Sequence, residues 1–159
     1  MLIRLFPFLC LLFIAQSCSG QKDADPKAAE IVRQCVEVHG GRNYRNFDVS
    51  FDFRAFKVKL QHKGGKFRYE RSTKDTLGNT IVDILTNEGL TRSINGKAQT
   101  PEDKYRESVN ALAYFALLPF KLTEPAVNLK YLGETSIDNQ QYDKIEVSFD
   151  AEGGGKDYK

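Results

Sequence analysis

The chain has 159 residues, of which 41% are hydrophobic and 28% charged, a balance that excludes a disordered, collagen-like or polytopic membrane protein. Lys and Arg number 23 against 21 Asp and Glu, a formal net charge of +2 with no segment dominated by bases, which argues against a nucleic-acid partner. Setting 17 N-terminal residues aside from 159 leaves 142, enough for one domain with a core of its own.

Those first 17 residues read as a signal peptide. One early base, Arg4, precedes an apolar run from Leu5 to Ala15, and the small residues Ala15 and Ser17 lead up to Cys18. The run is shorter than the roughly 18 residues a membrane-spanning helix needs. A cysteine at the cut point resembles the bacterial lipobox, so Cys18 is the expected lipidation site, with ordinary secretion after an A-x-A-like site as the alternative. Each buried methylene is worth about 0.8 kcal/mol, so two or three acyl chains anchor almost permanently. Residues 18–25 are then the lipidated cysteine and a small polar tether. Ser19 is not the aspartate that retains many lipoproteins in the inner membrane, and the resemblance implies an outer-membrane lipoprotein of the cell envelope, on the periplasmic face or the cell surface. With Cys10 removed and Cys18 modified, Cys35 has no disulfide partner and reads as a small buried apolar residue.

Residues 26–159 form the expected single domain. Ala28, Ile31, Val32, Cys35, Val36 and His39 recur at helical spacing, which predicts an amphipathic helix capped by Asp25, opened by Pro26 and closed by Gly40-Gly41. Phe47, Val49, Phe51 and Phe53 then alternate with polar residues, and the pattern slips by one at Phe56, Val58 and Leu60. A bulge or sharp bend around Ala55-Phe56 would keep one face buried through that slip. Gly64-Gly65 turns the chain into a strand from Lys66 to Ser72, and Thr80 to Thr86 and Leu90 to Ile94 read as two more. Asn95-Gly96 marks a type I′ hairpin into a short strand near Ala98.

Thr100-Pro101-Glu102-Asp103 predicts the start of a second helix with Thr100 as cap, and its apolar face is Tyr105, Val109, Leu112, Ala113, Ala116 and Leu117. Tyr114, Phe115 and Leu118 make its last turns apolar all round, so that end must be buried on several sides or cover something. Leu129 to Leu132 and Tyr142 to Phe149 read as a last hairpin around Ser136 to Gln141, and Gly153 to Gly155 as the start of a flexible tail.

Catalytic signatures are wanting. His39 and His62 have no companions at metal-ligand spacing, and His62 reads as a solvated residue before a turn. No acid stands out in an apolar stretch, and neither a G-x-S-x-G elbow nor a phosphate-loop or other cofactor motif occurs. The expectation is therefore no cofactor, no metal and no enzyme. What remains is aromatic surface. If the sheet curls and the second helix lies over its concave face, Phe51, Phe53, Phe56, Phe67 and Tyr69 on the strands line an apolar cavity with Tyr114, Phe115, Leu118 and Phe120 on or after the helix. The alternative is that these rings fill a solid core.

The element order, helix, curved antiparallel meander, covering helix and further hairpin, resembles the half-barrel of the periplasmic lipoprotein carriers and their outer-membrane acceptor. Phe115-Ala-Leu-Leu-Pro-Phe-Lys-Leu122, Tyr131-Leu-Gly133 and Val147 to Gly155 resemble more closely an uncharacterised family of secreted proteins and lipoproteins from Bacteroidota. That resemblance implies an α+β fold with a curved antiparallel sheet, and a chain incomplete at its C-terminus. It brings no catalytic residues. The function expected is a membrane-anchored, non-enzymatic binding module for an apolar ligand, a lipid or lipidated peptide; the alternative is a structural or protein-interaction lipoprotein without a cavity.

Overall fold

The computed structural model describes residues 24–150; the signal segment, Cys18 and the glycines 153–155 lie outside them. Helix α1 (Pro26–His39) starts as the sequence predicts. The Asp25 carboxylate accepts from the backbone N–H of Lys27 and Ala28 at 2.8 and 3.3 Å, and Pro26, which has no N–H to satisfy, fills the first helical position. A 3₁₀ turn (Gly41–Arg45) leads into six strands, β1 (Phe47–Phe53), β2 (Phe56–Lys63), β3 (Lys66–Lys74), β4 (Thr80–Thr86), β5 (Gly89–Ile94) and β6 (Lys97–Gln99). They form one open sheet in chain order, each strand antiparallel to the next. Helix α2 (Asp103–Ala116) and a 3₁₀ turn (Phe120–Thr123) follow, then β7 (Val127–Ile137) and β8 (Gln140–Phe149). This last hairpin is a separate two-stranded sheet rather than an extension of the first. The fold is α+β, with no closed barrel among the described residues.

The register assigns the faces of the large sheet. Phe47, Val49, Phe51 and Phe53 pair with His62, Leu60, Val58 and Phe56, and these continue through Phe67, Tyr69 and Arg71 to Asp83 and Leu85. All of them share the face that meets α2. The opposite face carries Asp48, Asp52, Lys57, Lys59, Arg68 and Glu70, with ion pairs such as Lys59–Asp48 at 3.5 Å. Val109 and Ala113 of α2, with Leu117 just past its end, pack on Val58, Leu60, Tyr69 and Leu85 to form the main core. A second core joins Ala28, Val32 and Val36 of α1 to Val127 and Leu129 of β7.

Several expectations need correction. The slip after Phe53 is no bulge: Arg54 and Ala55 form a two-residue turn, with Arg54 at φ 55° and Phe53 opposite Phe56, so the expected bent strand is a hairpin. Helix α2 starts after Glu102 without a side-chain cap, so Thr100 and Pro101 precede it. The last hairpin is longer than its apolar residues suggest, because Asp138 and Asn139 take positive φ and let the pairing run to the turn. Cys35 is exposed, and so is His39. Only the narrow stripe Ala28, Val32, Val36 of α1 is buried, since β7 touches the helix along a single i, i+4 row.

Candidate functional site

The nine expected site residues divide into three groups. Phe51, Phe53 and Phe115 come together with Arg54, Ala111, Leu112 and Ala116 around an apolar groove of about 680 Å³. The groove lies between β1, the outer strand of the sheet, and the flank of α2. It exists because α2 packs over β3 and β4 and stops short of the sheet's edge, leaving Phe51 only partly covered and Phe53 exposed. Phe53 is 43% exposed and Phe115 66%. Arg54 in the turn holds its guanidinium 5.2 Å from the centre of the Phe53 ring. Phe51 and Phe53 are on the groove because β1 is strictly alternating; Phe115 is there because it projects from α2 away from Val109 and Ala113.

A second group fills core. Tyr69 is 1% exposed and sits at the centre of the main cluster, with Phe67 stacked on it at 4.6 Å. Phe56 lies under the guanidinium of Arg71, 5.0 Å from ring centre to Cζ. The space directly beneath α2 is therefore occupied by side chains; the opening is at its side. The third group bridges elements. Phe120 stacks on Tyr44 at 5.0 Å, Tyr114 meets Phe115 and Phe149 edge to face, and Leu118, beside the groove's end in sequence, is 38% exposed but does not line it.

Two buried or half-buried polar clusters were missed from the sequence. Asp83, 2% exposed, accepts from Arg71 Nε at 3.0 Å and from Arg92 Nη1 at 2.7 Å. Arg92 in turn lies 3.6 Å from the ring centre of Tyr105 on α2. Asp83 sits in Ile81-Val82-Asp83-Ile84-Leu85, so the signal was an acid in an apolar strand, overlooked because its partners come from two other strands.

The second cluster surrounds His62, which is half-buried rather than solvated. Its Nδ1 is 3.1 Å from the carbonyl of Tyr44 and its Nε2 2.6 Å from the Tyr69 hydroxyl. A carbonyl only accepts, so Nδ1 carries the proton and Tyr69 donates to Nε2. Desolvation, then the nearby Lys121 charge, holds His62 below its ordinary pKa, while burial pushes the Tyr69 hydroxyl up. Lys121 is itself buried, over the Tyr69 ring and paired to Glu124 at 2.5 Å. Both clusters are saturated by their own partners and neither opens onto the groove.

Two further hollows are polar. One, of about 570 Å³, lies on the opposite face of the sheet beside Asp52, Lys57, Lys59 and Glu70. The other, of about 590 Å³, is bordered by Glu37, Arg42, Arg45 and Phe120 near the end of α1. Among the described residues no group of three or more His, Cys, Asp or Glu is placed to hold a metal ion, and no helix is long and apolar enough to cross a membrane.

A family model described as "Family of unknown function (DUF6503)" matches residues 3–159. No curated protein and no solved structure matches the chain.

Proposed function

Since the chain belongs to the DUF6503 family of unknown function, no reaction is inherited with the match, and we propose from its residues that the protein is a membrane-anchored, non-enzymatic binding module for an apolar ligand. The observation that carries this reading is the groove between β1 and α2: three phenylalanines and a helix flank surround open volume, whereas aromatic side chains left without a ligand are normally folded into a core. Its volume falls within the usual range for small-molecule sites. In this reading the six-stranded sheet is the curved half-barrel of a carrier, α2 is the element that roofs it, and Cys18 anchors the domain to the outer membrane through lipid.

The alternative, an envelope interaction protein with a solid core, draws on the packing of Phe56, Phe67 and Tyr69. Native mass spectrometry of protein extracted from cells separates the two. We expect a population carrying bound lipid mass that Phe115→Ser reduces; a bare mass for the parent chain, with no uptake of added lipid, would leave only the interaction reading. Cell fractionation tests the anchor: Cys18→Ser is expected to move the protein from the membrane to the soluble fraction, and an unchanged distribution refutes lipidation at that residue.

A further inference from the structure

Among the described residues, Arg54 is the one charged side chain lining a groove whose other lining residues are Phe51, Phe53, Ala111, Leu112, Phe115 and Ala116. It stands in the hairpin turn at the groove's end, its guanidinium over the Phe53 ring. No carboxylate among the described residues pairs with it. The nearest acid in sequence, Asp52, points to the opposite face, where Lys57 engages it at 3.5 Å. A guanidinium beside apolar surface, with its donors free, is a headgroup site waiting for an anion.

We propose that the groove takes a single-chain amphiphile with one negative charge, a long-chain fatty acid, its alkyl chain against Phe51, Phe115 and Leu112 and its carboxylate on Arg54. This rests on the apolar-ligand reading and narrows it. One cation balances one carboxylate, and the planar fork of arginine matches a carboxylate in two parallel hydrogen bonds. A phosphate monoester would bring a second charge for which the groove has no partner. A lipid with two or three acyl chains would exceed a groove walled by one strand and one helix, with a volume of about 680 Å³.

The test uses the full chain carrying Cys18→Ser, so that no acyl chain of its own competes, stripped of bound lipid and loaded with the neutral dye Nile red. Displacement by laurate is compared with displacement by dodecanol, which has the same chain and no charge, and by dodecyl phosphate. The expected result is that laurate binds about five- to tenfold more tightly than dodecanol, a preference that disappears in Arg54→Gln and is only partly kept in Arg54→Lys, which retains the charge but not the fork. Dodecanol binding should fall far less than laurate binding in Arg54→Gln, since only the acid loses an ion pair; at φ 55° arginine and glutamine carry the same backbone strain, so the turn itself is preserved. Shortening the acid by two methylenes should weaken it about tenfold. Equal binding of laurate and dodecanol, both weakened by Phe115→Ser, would overturn the headgroup assignment and keep the apolar groove. Tighter binding of dodecyl phosphate, or loss of laurate and dodecanol together in Arg54→Gln, would likewise overturn it. Failure of every chain to displace dye would overturn the groove reading as well.

Discussion

Asp83 carries two arginines on one carboxylate, and it lies where the helix covers the sheet. Removing its charge leaves two guanidiniums, each about one-tenth exposed, with no negative charge to balance them. Asp83→Asn is therefore expected to destabilise the fold by about 3–5 kcal/mol, read from urea unfolding at pH 7. His62 gives a gentler, pH-dependent effect. Its pKa is depressed in the folded protein because burial and Lys121 disfavour the cation, and protonation would also deprive the Tyr69 hydroxyl of its acceptor. The unfolded chain then binds the proton first, so stability is full above the ordinary value of 6.5 and falls as the pH drops from there through the folded pKa. Unfolding followed from about pH 5 to pH 8, roughly the range in which histidine titrates, should show that slope, and His62→Gln should flatten it; a parent curve already flat would refute the assignment. Asp83 shows in the sequence only as an acid flanked by Val82 and Ile84, and His62 stands just before a Gly-Gly turn, where histidines are usually wet; neither pattern names the partners, which come from strands and turns far away along the chain.

At the scale of elements, local chemistry was legible and phase was not. Asp25 and Pro26 open α1 as the sequence predicts, and Asp25→Ala should lower stability by about 1 kcal/mol through loss of the carboxylate that accepts from two backbone N–H groups, detectable as a fall in Tm. The glycine turns are equally transparent: Gly64-Gly65 and Asn95-Gly96 all take positive φ, which few other residues tolerate. The slip between Phe53 and Phe56 was ambiguous for a physical reason. A bulge and a two-residue turn both shift the alternation by one and both keep the aromatics on one face, and Arg54-Ala55 has none of the residues that usually mark a turn. That ambiguity concealed the turn that places Arg54 beside Phe53. Helix α2 was displaced for a related reason, since Thr100-Pro101 is a convincing start whose geometry is taken up instead by the connection from β6.

For the whole molecule, α+β order and the pairing of neighbouring strands followed from periodicity, but the division into two sheets did not. Nothing in the alternation of β7 and β8 tells which helix they will cover; that choice depends on Val127 and Leu129 fitting the stripe of α1. The aromatic residues posed the same problem. Phe51, Phe67 and Tyr69 carry identical patterns along their strands, and only the width of α2 relative to the sheet decides which ring is roofed and which is left at the margin. The candidate site was thus legible as a set of rings and illegible as a place.

Among the described residues, no ladder of backbone hydrogen bonds crosses from the large sheet to the small one. What holds the halves together is chiefly side-chain stacking, with Tyr44 belonging to both cores and Phe120 wedged against it and His62. A seam of side chains without a shared ladder is expected to open before either half melts, which native-state hydrogen exchange would show as α1 amides exchanging ahead of those of β2 and β3. The α1 lobe can consequently loosen on its own, and a pull on the N-terminal end of the domain would reach this stack of rings before it reached the strands that border the groove.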